Sequence, residues 1–394
     1  MSRPEDYDLD ALIALGSAGK RRSDLVVFVG RSGGRLMDNV KYLYLRAAGE
    51  DYGFRAVFFT RHEDEDAMLR KRGLPVVSLD AEGRKILTTA GALVFDDLFT
   101  HEPEAFSLGF TAKRIQLWHG IPLKKIGFPE IESPVNMDED KAALLRMGYS
   151  HYDAVASTSP WVSGELFSRV FQAASFMEYG YPRNDILLRA PKGHDLLNVD
   201  RYCYARVKRH RAQGGRVVVY LPTFRDNGLD FVDENGRPAL SPAALAAFAG
   251  EHKVLFLLKL HPYMRDNTLS ALPGCIRYPS HLDIYPLLPL ADALITDYSS
   301  VYFDFLLLNR PILFFPYDLS RYIRQDRELF FPYESMTPGP RAATQDELLE
   351  ALRAVLSGAD DHAGERKLLA DRLFLHQDAD AARRICLHLK QMLA

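Results

Sequence analysis

Leu294-Ile295-Thr296-Asp297-Tyr298-Ser299-Ser300 is a short apolar run that ends abruptly in an acid, a tyrosine and two serines. A helix-like stretch, Val301 to Leu308, follows, and then a second strand-like run from Pro311 to Phe315. Strand, tight turn, helix and strand in so short a span is the repeating unit of a parallel sheet covered by helices. Working outward, Arg216 to Leu221, Val254 to Leu260, Ala293 to Thr296 and Ile312 to Phe315 form one such series. An earlier one comprises Leu25 to Val29, Ala56 to Phe59, Ala92 to Phe95, Ile115 to Trp118, Ala154 to Ser157 and Ser175 to Tyr179. The fold class is therefore α/β, with two doubly wound Rossmann-like domains. Pro191, Lys192 and Gly193 break both patterns and place the boundary between them. The expected domains are 1–192, 193–376 and a closing helix at 377–394 that packs across both. Ligands bind beyond the carboxyl ends of strands in such sheets, so the two domains are expected to face a cleft.

The 394 residues suit two domains. Hydrophobic residues at 47% and charged residues at 26% exclude a disordered or fibrous chain. Lys and Arg total 49 against 52 Asp and Glu, so the net charge of -3 offers no global attraction for nucleic acid. Cys203, Cys275 and Cys386 are far apart and follow no metal-ligand spacing, which fits a reducing, cytoplasmic setting. No run reaches the ~18 to 20 apolar residues of a membrane span, and Met1 to Asp10 lack the pattern of a signal peptide.

Several strand ends carry chemistry. In Gln116-Leu117-Trp118-His119-Gly120-Ile121-Pro122-Leu123-Lys124-Lys125, His119 falls at a strand-to-loop corner. An imidazole there, with a pKa near ~6.5, can take a proton from an attacking hydroxyl, or it can simply hydrogen-bond its own loop. Lys124 and Lys125 read as cleft cations or as solvated surface charges. Lys259-Leu260-His261-Pro262 brings a Lys and a His to another strand end, where they suit an anionic, phosphate-bearing ligand or a capped strand. Ser299 and Ser300 precede a helix, as phosphate-binding hydroxyls or as an ordinary cap. Pro222-Thr223-Phe224-Arg225-Asp226 and Gly180-Tyr181-Pro182-Arg183-Asn184-Asp185 end further strands in polar groups. Gly30-Arg31-Ser32-Gly33-Gly34 follows the first strand but is not a dinucleotide fingerprint. GxSxG, Walker A and HExxH are missing, so hydrolase, NTPase and zinc-protease chemistry has no support.

Five blocks in order, Trp118-His119-Gly120-x-Pro122-Leu123-Lys124, Gly180 to Asp185, Pro222 to Asp226, Lys259-x-His261-Pro262 and Thr296 to Ser300, resemble those of the CDP-glycerol glycerophosphotransferase family of teichoic-acid and capsule-polymer enzymes. Ser32-Gly33-Gly34 with Asp38-Asn39-x-Lys41-Tyr42-Leu43, and Pro338-Gly339-Pro340, extend the likeness over most of the chain. The resemblance implies a GT-B fold and transfer of glycerol phosphate from CDP-glycerol to a hydroxyl of a lipid-linked or polymeric saccharide, with release of CMP. His119 falls on the family's catalytic base and His261 on its contact to the donor diphosphate, and both are expected to be catalytic. Thr223, Arg225, Lys259, Asp297, Ser299 and Ser300 fall on the donor side; Ser32, Gly33, Lys124, Arg183, Asn184 and Asp185 fall on the acceptor side. No metal and no cofactor beyond the CDP-activated donor is implied. Ile121 departs from the threonine that many members carry, which bears on acceptor choice. Peripheral contact with an anionic inner membrane is expected through Lys20, Arg21 and Arg22 or through Lys113 and Arg114. The competing readings are a GT-B glycosyltransferase using a nucleotide sugar, a transferase of ribitol or another polyol phosphate, and a two-domain binding protein without turnover.

Overall fold

The computed structural model describes residues 8–225, 228, 230–260 and 272–394. His261, Pro262 and Asp226, all named above, lie outside the described residues. Twelve strands are described: β1 Arg22–Val29, β2 Arg55–Phe59, β3 Val76–Val77, β4 Ala90–Phe95, β5 Lys113–Gln116, β6 Ala154–Ala156, β7 Phe176–Met177, β8 Arg216–Leu221, β9 Val254–Leu258, β10 Cys275–Arg277, β11 Ala293–Thr296 and β12 Ile312–Phe314. They form a seven-stranded sheet in the order β3-β2-β1-β4-β5-β6-β7 and a five-stranded sheet in the order β10-β9-β8-β11-β12. Every pairing is parallel.

The central strands are apolar on both faces because helices cover both sides of a parallel sheet. All six residues of β4 are buried, as are all five of β9 and all four of β11. In the second sheet Val218, Tyr220, Phe256, Leu258, Ile295 and Leu313 pack against Leu348 and Leu352 of the helix Gln345–Leu356. Each such side chain contributes about 1.5 to 3 kcal/mol on burial. That helix starts with a capping box, in which Thr344 accepts from Glu347 N and the Glu347 carboxylate accepts from Thr344 N. At the end of β1 the chain turns through Gly34, whose φ is +89°. A Cβ at this position would lie 2.5 Å from both Phe59 O and Thr60 Cα, so only glycine fits the turn.

By their contacts the residues form two compact units. One comprises Met1–His119, Glu139–Leu197 and Phe374–Ala394; the other comprises Gly120–Asp138 and Asn198–Leu373. This differs from the expected division in two ways. The segment 120–138, placed by its sequence in the first domain, belongs to the second unit. It is held there by Phe330 N donating to Leu123 O at 3.0 Å, Lys125 N donating to Glu328 O at 2.8 Å, and the Arg327–Glu130 ion pair at 2.9 Å. The helix Ala381–Leu393, expected to bridge the domains, is a member of the first unit. Its first amides, Ala381 N and Ala382 N, donate to the Asp185 carboxylate at 2.9 and 3.0 Å, and it packs on the helix Asp38–Gly49. No helix of the described residues is long and apolar enough to cross a membrane. Cys203, Cys275 and Cys386 are buried free thiols.

Candidate functional site

In the first unit the carboxyl ends of β1, β4 and β5 gather Arg31, Asp96, Asp97 and His119, and the helix Asp38–Gly49 begins among them. β5 stops at Gln116, two residues before the sequence suggests, because Trp118 adopts a left-handed backbone with φ +55°. That conformation costs a bulky residue about 1 to 3 kcal/mol and persists only if neighbours fix it. Here Trp118 N donates to Gln116 Oε1 at 2.8 Å, and Trp118 O accepts from Asn39 Nδ2 at 2.7 Å. The indole packs against Tyr149 and Phe171 at 5.3 and 5.2 Å between centroids and lies 3.9 Å from the His119 ring.

The kink turns the half-buried His119 so that Nδ1 lies 3.0 Å from Asp96 O. A carbonyl only accepts, so Nδ1 carries the proton and Nε2 keeps its lone pair. Burial, reinforced by the Arg31 charge and opposed by Asp97 and Asp38, lowers the His119 pKa to about 4. His119 is thus neutral at pH 7, a base with its free nitrogen defined.

Four charged groups surround it. Asp38 accepts from Arg183 Nη1 at 2.7 Å and from Arg31 Nη1 at 3.2 Å. Burial pushes its pKa up, but Arg183 and Arg31 outweigh this and hold it at about 2. Asp97 lies 3.1 Å from His101 Nδ1 and 3.9 Å from Arg31 Nε; it too stays ionised despite burial, held down by His101 and then Arg31. Asp96 behaves oppositely. It is fully buried, its Oδ2 accepts from Val40 N at 2.9 Å, and its Oδ1 has no hydrogen-bond partner among the described residues. Burial and the nearby Asp38 charge raise its pKa well above the usual carboxylate range.

Of the expected acceptor-side residues, Arg183 therefore joins this cluster through Asp38, and its own N donates to Asn39 Oδ1 at 3.1 Å. Ser32 and Gly33 form the adjacent left-handed turn, where Ser32 O lies 2.6 Å from His62 Nε2 and Gly33 O accepts from Arg61 N at 2.8 Å. Asn184 is buried. Asp185 accepts from the first amides of the C-terminal helix, and Lys124 lies in the second unit, bridged to Leu329.

The second unit gathers Thr223, Lys259, Ser299 and Ser300 at the carboxyl ends of β8, β9 and β11. The Thr223 Oγ1 is buried and has no hydrogen-bond partner among the described residues. Ser299 and Ser300 are half-buried, and Ser300 makes no side-chain cap to the short helix Val301–Phe305. Lys259 Nζ donates to Leu282 O at 2.6 Å and lies 5.7 Å from the Tyr278 ring centroid.

Arg225, expected on the donor, is held by two acids of its own unit. Its guanidinium is fully buried, with Nε and Nη2 bidentate to Asp318 at 2.8 Å each and Nη1 on Asp297 Oδ2 at 2.8 Å. Tyr298, Tyr317 and Tyr322 surround it at 4.9 to 5.1 Å. Asp297, also expected on the donor, spends Oδ1 on Thr223 N at 2.8 Å and on Tyr298 N at 2.5 Å. The Arg225–Asp297–Asp318 cage thus fixes the two loops that present Thr223 and the serines.

Sequence reasoning missed Arg31, Asp38, Asp96, Asp97 and Asp318. Asp96, Asp97 and Asp318 each follow a buried strand closely, the same signal that singled out His119. Among the described residues no three His, Cys, Asp or Glu side chains converge as a metal-holding set. Of the basic residues expected at a membrane, Arg22 pairs with Asp24 at 2.8 Å and Lys113 with Asp153 at 3.1 Å, while Arg114 stacks on Phe106.

The chain is 29% identical over 289 residues to a teichoic acid glycerol-phosphate transferase of Staphylococcus aureus, covering 69% of each. It is 27% identical over 311 residues to a teichoic acid ribitol-phosphate primase of Bacillus spizizenii, covering 76% of this chain and 74% of that one. The chain spans 69%, 60% and 32% of the first three curated relatives it matches. In fold it is similar to the wall teichoic acid polymerase TagF, with a TM-score of 0.76 at 22% identity over 98% of this chain and 93% of that one. The fold is accordingly GT-B, built of two Rossmann-like sheets. The family model of CDP-glycerol:poly(glycerophosphate) glycerophosphotransferase matches residues 13–390, from before β1 into the last helix, and the chain belongs to that family.

Proposed function

We propose that the chain transfers glycerol phosphate from CDP-glycerol to a hydroxyl of a lipid-linked or polymeric glycan or teichoic-acid-like acceptor. The acceptor oxygen attacks the β-phosphorus, a new P–O bond forms, the bond to the bridging oxygen breaks, and CMP leaves. The observation that carries this reading is the His119 geometry: Nδ1–H is committed to Asp96 O, so Nε2 is free to take the acceptor's proton. Its low pKa keeps it unprotonated at neutral pH. Arg31, a half-buried cation of that cluster, stands beside it to favour an anionic acceptor terminus. On the donor side Thr223, Lys259, Ser299 and Ser300 offer hydroxyls and a charge to the diphosphate, with His261 joining them as the family resemblance implies. Arg225 and Asp297 position these groups and do not touch the donor. In this reading the protein's own donors stabilise the leaving CMP and no divalent ion is required.

Ribitol phosphate from CDP-ribitol is the second reading, favoured by the likeness to a ribitol-phosphate primase. The test is CMP release from CDP-glycerol, CDP-ribitol and a panel of nucleotide sugars, with and without EDTA, using short glycerol-phosphate and lipid-linked acceptors. Acceptor-dependent, EDTA-insensitive CMP release from one CDP-polyol is expected. Release of a nucleoside diphosphate from a sugar donor would overturn the reading. His119→Ala should lower turnover by about 10²- to 10⁴-fold while leaving CDP-glycerol affinity largely intact, and equal turnover would remove His119 from the role. Contact with an anionic leaflet through Lys20 and Arg21 belongs to the same reading, and sedimentation with anionic vesicles that is indifferent to Lys20→Gln/Arg21→Gln would remove it.

A further inference from the structure

A groove of about 680 Å³ opens in the second unit at the amino ends of β8 and β9, the opposite edge of the sheet from Thr223 and Lys259. One wall is the helix Arg201–Ala212, which carries Arg201, Arg206, Lys208, Arg209, His210 and Arg211 and no acid. Arg206, Arg209 and His210 line the groove from this wall, Lys253 from the facing turn, and among the described residues no Asp or Glu lines it. The Arg206, Arg209 and Lys253 side chains make no ion pair among the described residues, whereas Arg211 turns away to Asp292 at 2.9 Å. The wall and the turn are tied together: His210 Nε2 lies 3.1 Å from Arg216 O and 3.0 Å from Lys253 O, so it donates to them. Gly215 makes room for this, since a Cβ there would lie 2.2 Å from His210 Nε2. The two cationic walls are therefore held at a fixed separation. Tyr202, 73% exposed, stands on the rim.

A chain with a net charge of -3 does not concentrate three unpaired cations around one concave surface by composition alone. Uncompensated cations in a groove attract phosphate, and Arg206 and Arg209, three residues apart on one helix face, lie about 4.5 Å apart along its axis. The six residues of β8 put roughly 20 Å between this groove and the strand ends where Thr223 sits, so one donor molecule does not occupy both. A flat lipid leaflet reaches only the rim of a groove walled on two sides, whereas a flexible phosphodiester chain enters it. We propose that this groove is a second, non-catalytic binding site for the anionic polyol-phosphate chain on which the enzyme acts. Tyr202 offers a face for its polyol or sugar units, and the inference rests on the polyol-phosphate transferase reading above.

The test measures binding of a labelled long oligo(glycerol phosphate) to the full chain without CDP-glycerol, across a salt series, for wild type and Arg206→Gln/Arg209→Gln. Binding should weaken about tenfold or more, and the slope of log affinity on log salt should fall by about 1.4, at about 0.7 per lost phosphate contact on a single strand. CMP release with a monomeric glycerol-phosphate acceptor should stay unchanged. Lys253→Gln on the other wall should weaken binding in the same sense, which keeps the test decisive if the double variant misfolds. Wild-type failure to bind the oligomer, unchanged affinity in the variants, or tighter binding of single-stranded RNA or anionic vesicles than of the oligomer would each overturn the proposal. A protein that binds the oligomer through Arg206 and Arg209 yet releases no CMP with any donor would instead sink the transferase reading.

Discussion

Replacing Arg225 by Met distinguishes a residue that holds the donor loops from one that holds the donor. Asp297 and Asp318 are 1% and 0% exposed, so losing the guanidinium strands two carboxylates away from water. Breaking a buried ion pair from one side costs about 3 to 5 kcal/mol. Asp318 keeps the Tyr298 hydroxyl at 3.0 Å and Arg321 at 3.1 Å, and Asp297 keeps two backbone amides, so the lower end of that range applies. At roughly 2 to 4 °C per kcal/mol for a unit of this size, the melting temperature should fall by about 6 to 12 °C. Arg225→Lys should recover only part of this loss, because an ammonium cannot make the bidentate contact to Asp318 while reaching Asp297. The assay is thermal unfolding followed by far-ultraviolet circular dichroism, paired with CDP-glycerol titration at a temperature where every variant is folded. A melting temperature unchanged in Arg225→Met, together with a large loss of CDP-glycerol affinity, would refute the cage and return Arg225 to the donor.

Two further outcomes follow from the first unit. Because the His119 pKa is lowered to about 4, folded protein binds fewer protons at this site than unfolded protein between pH 4 and pH 6.5. Its contribution to stability should therefore be lost as pH falls through that window, and the acid limb of kcat/KM should lie near pH 4; a limb near 6.5 that persists in Asp96→Asn would contradict the buried, Arg31-facing environment. Asp185→Ala removes both acceptors at the start of the helix Ala381–Leu393 and should cost about 1 to 2 kcal/mol, read as faster amide exchange confined to that helix. Exchange unchanged there would mean that packing on the helix Asp38–Gly49 alone holds it.

The central strands were legible because burial on both faces writes a continuous apolar run: β8 and β11 have the bounds that their sequence suggests. The edge strands β3 and β10, two and three residues long, were not, since neither is long enough to show a period. His119 was found by its place after a strand, but its orientation depends on the left-handed Trp118, which no local pattern announces. Arg225 stands out for its charge, but no local pattern shows that its guanidinium is bound by Asp318, 93 residues away. Distance in sequence likewise hides that the Asp185 carboxylate serves amides 196 and 197 residues further on. It also kept the segment 120–138 with its sequence neighbours when its partners are Glu328 and Phe330.

The first unit is discontinuous, and that has a consequence for how the molecule is made. Asn198–Leu373 leaves the ribosome before Phe374–Ala394, so the second unit has all its strands while the first still lacks a helix. Until that helix arrives, Asp185 has no amides to receive and the face of the helix Asp38–Gly49 beneath it is bare. The half-unit that carries His119 must therefore persist unfinished through the synthesis of some 176 residues, from 198 to 373, and at ~5 to 20 residues per second this lasts roughly ten to thirty-five seconds. A ribosome stalled late in the message would leave a chain whose second unit is complete and whose His119 stands in an open sheet, exposed to proteases and chaperones.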